Sequence, residues 1–102
     1  MAKEADMDLY AIFRRNGWDP SEVEAADARS NAEAAKLGGT IRKVRSYILQ
    51  EPNGRLGTIC MYEAVSPEAL MDHAKAADLP CDEVVRVIAI DVQNPDPVLT
   101  PA

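Results

Sequence analysis

Apolar residues in this chain alternate over short stretches and recur at helical spacing over longer ones. "DLYAIFRR", Asp8 to Arg15, is dense in aliphatic and aromatic side chains and reads as a strand. "NGWDPSE" ends it with helix-start chemistry. Asp19 suits the N-cap, Pro20 the first helical position, Glu22 a capping box, and Trp18 can pack on Val23 as a hydrophobic staple. The helix that follows should reach about Leu37 and stop at Gly38-Gly39, with Val23, Ala26, Ser30, Ala34 and Leu37 on its inner stripe. "TIRKVRSYILQ" and "LGTICMYEA" read as strands joined by "EPNGR". Ser66-Pro67 repeats the helix-start pattern, and that second helix should end near Leu79-Pro80. "EVVRVIAIDV" reads as the last strand. The predicted order is β-α-β-β-α-β, an α+β ferredoxin-like arrangement with two helices on one face of an antiparallel four-stranded sheet. Residues 1–7 read as a flexible N-terminus, 8–92 as the domain and 93–102 as a proline-rich tail.

The hairpin predicts which side chains share a face. If Asn53-Gly54 is a two-residue loop, Leu49 opposes Thr58, Tyr47 opposes Cys60 and Arg45 opposes Tyr62. Lys43, Arg45, Tyr47, Leu49, Thr58, Cys60 and Tyr62 then form one mixed face. Val44, Ser46, Ile48, Ile59, Met61 and Glu63 form the other, which the helices should cover. A bulge in the turn would break this assignment. The mixed face, left open, predicts a second copy packed sheet to sheet: a homodimer forming a dimeric α/β barrel whose interior is the pocket.

Charge and composition narrow the partners. A net charge of −6 argues against nucleic acid and against an anionic membrane surface. No apolar run approaches the roughly 20 residues that cross a bilayer. "MAKEADMD" carries no signal-peptide core, which predicts a cytoplasmic protein. The two cysteines, Cys60 and Cys81, then read as free thiols. No CxxC pair, zinc spacing, phosphate loop or dinucleotide glycine pattern occurs.

"RSYI", "TICMYEA", "SPEAL", "DHA" and "LPCDEVVRV" together resemble the small bacterial nickel-binding-like family, a domain of unknown function. The resemblance runs from about Asp8 to Asp91 and is carried best by Cys60, Tyr62, Glu63, Ala64, Ser66, Pro67, Glu68, Ala69, His73 and Ala74 in that order. It implies a ferredoxin-like unit that dimerises through its open sheet face. It also implies nickel or another divalent transition metal as the cofactor, with His73 as a ligand. Arg45 stands where relatives place a second histidine, and Lys43 where an aromatic is usual. A guanidinium cannot ligate nickel, and its charge opposes a divalent cation nearby.

The candidate ligand-binding residues are therefore Arg45, Tyr47, Cys60, Tyr62 and His73. His73 is also the candidate catalytic base and metal ligand, against the reading of a helix histidine bonded to a neighbour. Cys60 as a nucleophile stands against a small buried hydrophobe. The tyrosines are either ligand contacts or interface core. Arg45 either pairs with carboxylates or holds an anion. Two functions from different classes follow. One is a homodimer that binds a small molecule or metal ion without catalysis. The other is a cofactor-independent enzyme, an isomerase, cyclase or monooxygenase-like protein acting on a small anionic or aromatic substrate.

Overall fold

A computed structural model describes residues 6–99. The expected N-terminal segment 1–7 thus lies largely outside the described residues, as does the end of the tail. The elements are β1 (Asp8–Trp18), a single 3₁₀ turn (Pro20–Glu22) leading into α1 (Val23–Ala35), β2 (Ile41–Gln50), β3 (Leu56–Ala64), α2 (Pro67–Ala76) and β4 (Glu83–Arg86). The sheet order is β2-β3-β1-β4, and every neighbouring pair is antiparallel. This is the ferredoxin-like α+β fold expected from the hydrophobic pattern.

The helix starts form as their sequences dictate. Glu22 Oε1 accepts the Asp19 N–H at 2.8 Å, the returning half of a capping box. Ser66 Oγ accepts the Ala69 N–H at 3.2 Å, with Pro67 at the first position of α2. Both helices cover the same side of the sheet. There Tyr10, Ile12, Ile41, Cys60, Tyr62, Ala64 and Leu70 form the core, with Ala34, Leu37, Ala69, Cys81 and Val84 packed against it.

Two features differ from expectation. The β2–β3 loop has three residues, Pro52-Asn53-Gly54, because Glu51 pairs with Arg55 (N–H to O, 3.0 Å). Pro52 is the cause. Its fixed φ suits the second position of an ordinary type I turn, so Asn53 keeps negative φ and Gly54 alone is left-handed, at φ 86°. Asn53 Oδ1 then accepts the Arg55 N–H at 3.0 Å. The pairing is shifted by one residue, so Ser46 opposes Cys60, Tyr47 opposes Ile59 and Ile48 opposes Thr58. A one-residue slip turns a strand over. Arg45, Tyr47 and Leu49 consequently lie away from the helices with Ile59 and Met61, while Cys60 and Tyr62 lie beneath them. A bulge at Val44 corrects the parity, and Lys43 opposes Tyr62 on the helix side.

The other difference is β4, which ends at Arg86 rather than Val92. Its partner β1 begins at Asp8, and the Val87 N–H to Leu9 O bond at 2.8 Å is the last rung available. Beyond it the chain is exposed, including Ile88, Ile90 and Val92. No helix among the described residues is long and apolar enough to cross a membrane.

Candidate functional site

Alternation along β1 carries Tyr10, Ile12 and Arg14 to the helix side of the sheet. The first two are core. Arg14 is equally buried, at 1% exposure, although it is charged. Its Nη1 donates to Pro80 O at 2.6 Å, and its Nη2 has no hydrogen-bond partner among the described residues. Arg14 lines a cavity of about 490 Å³ between α1 and the sheet. Trp18, Val23, Ile48, Leu56 and Leu79 supply apolar wall. Ser30, Lys43, Ser46, Thr58, Cys60 and Tyr62 bring polar atoms to it. The cavity exists because the α1 residues facing the sheet are small: Ala26 and Ser30 are both buried there.

The end of β1 is held rigidly beside it. Glu51 accepts two bonds from Arg15 (Nε to Oε2 2.9 Å, Nη2 to Oε1 2.8 Å) and a third from the Asn16 N–H at 2.9 Å. These bonds, Arg15 foremost, hold the Glu51 carboxyl down at about 2. Gly57 makes room for it: a Cβ there would meet both the Glu51 carboxylate and the Arg14 carbonyl. The clamp fixes the irregularity between Arg14 and Trp18, where Asn16 takes φ 52°.

Lys43 is the second cation at the cavity. Burial disfavours its charged form, but its 2.9 Å bond to Asp27 Oδ1 and the surrounding negative groups outweigh burial and raise its pKa. Tyr62 is 1% exposed and its hydroxyl lies 3.2 Å from Ser30 Oγ. Cys60 Sγ accepts from Ser46 Oγ at 3.2 Å and lies 3.4 Å from Thr58 Oγ1.

His73 is fully buried on α2 rather than at a pocket rim. Its Nε2 is 2.9 Å from Ser30 O. A carbonyl only accepts, so Nε2 carries the proton and Nδ1 is a bare, buried, unpartnered nitrogen. The ring packs on Tyr62 at 5.7 Å between centroids. Burial lowers its pKa first; the Ser30 bond opposes this, and the charges of Arg14 and Lys43 add to the lowering.

Of the five expected ligand-binding residues, only Cys60 and Tyr62 line the cavity. His73 stands behind Tyr62. Arg45 and Tyr47 are exposed on the opposite face, where Arg45 Nη1 bonds Asp96 Oδ2 at 2.8 Å and the Tyr47 hydroxyl bonds the same oxygen at 3.0 Å. Arg45 therefore has a counter-charge in Asp96 and lies on the open face of the sheet, away from the cavity. The hairpin turn accounts for Arg45 and Tyr47 lying on the face opposite Cys60 and Tyr62. Arg14 was missed, though its signal is in the sequence: an arginine in phase with Tyr10 and Ile12 on a core-facing strand.

A metal fits this environment poorly. The chain has one histidine, and its Nε2 is committed to a carbonyl. Among the described residues no three His, Cys, Asp or Glu side chains cluster to hold a metal ion. The largest charge effects on His73 come from two cations, Arg14 and Lys43, which oppose a divalent ion, with Glu33 acting more weakly the other way.

Among solved structures, a putative antibiotic biosynthesis monooxygenase from Nitrosomonas europaea aligns with 91% of this chain and 97% of its own, at 12% identity and a TM-score of 0.42. No curated protein matches the chain. The family described as nickel responsive protein SCO4226-like matches residues 10–87, from Tyr10 in β1 to Val87 just past β4. The chain belongs to the SCO4226-like nickel responsive protein family.

Proposed function

We propose that this protein binds a small organic molecule in the cavity between α1 and the sheet. The observation that carries the reading is the cavity itself. Its volume of about 490 Å³ falls within the ~300–1,000 Å³ of small-molecule sites, and it combines apolar walls with a few convergent polar groups. Nickel is not assigned to it, because His73 does not line the cavity and among the described residues no three His, Cys, Asp or Glu side chains cluster to hold a metal ion. The test is native mass spectrometry of gently purified protein. A small organic molecule retained by the wild type and lost from Ser46→Phe, which fills the cavity from β2, supports the reading. Retention unaffected by Ser46→Phe contradicts it.

A homodimer is part of the proposal, through the face away from the helices. Phe13, Ile59, Met61 and Tyr47 lie on that face, and an apolar sheet face favours cover. Met61→Glu should shift sedimentation toward monomer; an unchanged dimer would count against this interface. One observation favours the enzymatic alternative. Tyr62 and Ser30 both line the cavity with their hydroxyls 3.2 Å apart, and such a pair can serve as proton donor to a developing enolate. In that case Tyr62→Phe abolishes turnover while leaving ligand retention intact.

A further inference from the structure

We infer that the molecule held in this cavity is an organic anion, a carboxylate on an apolar body, and that Arg14 is the residue that selects it. The inference rests on the cavity reading above and adds the chemical class. Arg14 is 1% exposed, its Nη1 is anchored on Pro80 O, and its Nη2 is buried without a partner. A buried guanidinium nitrogen with no acceptor is a standing energetic debt, since an unpaired buried charge costs several kcal/mol. The other charges lining the cavity do not cancel it. Asp27 is bonded to Lys43 at 2.9 Å, and Glu24 is exposed on α1.

The geometry also gives the shape of the ligand. Its oxyanion end meets Arg14, a planar donor group suited to carboxylates. Its remainder lies against Trp18, Ile48 and Leu56. The hydroxyls of Thr58 and Tyr62, which also line the cavity, can donate to the same oxyanion. The ligand is thus neither wholly polar, like a free phosphate, nor wholly apolar.

Isothermal titration tests this with matched pairs: benzoate, 1-naphthoate and 4-phenylbenzoate, each against its neutral carboxamide. Acid and amide share shape and differ in charge. The wild-type protein should prefer at least one acid over its amide by tenfold or more. Arg14→Met should bring that preference to within about twofold while amide binding persists, and Lys43→Gln should leave most of it. Equal binding of acid and amide by the wild type, lost in Ser46→Phe, would overturn the anion assignment and leave the cavity reading standing. A preference abolished by Lys43→Gln and untouched by Arg14→Met would overturn the role of Arg14. Failure of all three pairs to bind, or binding indifferent to Ser46→Phe, would overturn both readings.

Discussion

Replacing Arg14 with methionine should stabilise the ligand-free protein. Buried arginines usually earn their place through several bonds; this one has a single bond and a bare nitrogen. Two opposing terms decide the sign. Arg14→Met loses the Nη1–Pro80 O bond of 2.6 Å, and bonds to charged groups contribute about 1.5–3 kcal/mol. Pro80 is only half-buried, so water can take over part of that bond. Against this, the substitution removes a buried charge whose Nη2 is unsatisfied, a relief of several kcal/mol. Methionine keeps an unbranched apolar stem in place of the arginine's, so the added cavity is small. The net expectation is a gain of about 1–3 kcal/mol, or roughly 4–8 °C in Tm for each kcal/mol in a domain of this size. Urea unfolding of ligand-stripped wild type and Arg14→Met, in a buffer free of organic anions, measures it. Unchanged m-values would show that the unfolded ensembles are comparable. A loss of more than about 1 kcal/mol would refute the reasoning, because Arg14 would then be satisfied where it stands.

Further expectations concern pH and the hairpin. His73 has a folded pKa below its unfolded value near 6.5, so its contribution is complete above that pH and is lost as pH falls through the folded value. Urea midpoints should decline below about pH 6.5, less so in His73→Gln, and as the chain has one histidine its ring signal can be titrated by NMR without ambiguity. Glu51, depressed from 4.5 to about 2, adds a second window: its contribution is present above 4.5 and is lost as pH falls toward 2. Glu51→Gln should remove that acid-limb loss and lower stability at neutral pH. Deleting Pro52 leaves Asn53-Gly54 as a two-residue loop and removes the type I turn. It should cost cooperativity or stability, because the shorter turn favours a register that turns β2 over; native-like unfolding of the deletion would show that the turn does not set the register.

Most of the fold was legible because its signals are local. Caps at Asp19 and Ser66, glycines after Leu37 and the alternation of β1 and β3 each depend on a few adjacent residues. The candidate site was less legible because it depends on parity, which a single residue reverses. Cys60 and Tyr62 were correctly grouped with Thr58 and Lys43, and all four line the cavity. Tyr47 and Arg45 were grouped with them only through the two-residue loop, and Pro52 makes that loop longer by one. Which face the helices cover was also inverted. Ile59 and Met61 look more like core than Cys60 and Tyr62, but small side chains at Cys60 and Ala64 let α2 approach with Leu70 and His73. The short β4 follows from where β1 begins, a long-range fact that the apolar run "VIAIDV" does not carry.

The central claim is that the binding site lies on the helix side of the sheet, around Arg14, and not on the open face around Arg45. Backbone amide chemical shifts of the ¹⁵N-labelled protein, followed during titration with 1-naphthoate, test it most directly. The account predicts that the largest perturbations gather at Ser30, Lys43, Thr58, Cys60 and Tyr62 and disappear in Ser46→Phe. Perturbations centred instead on Arg45, Tyr47, Ile59 and Met61 would contradict it.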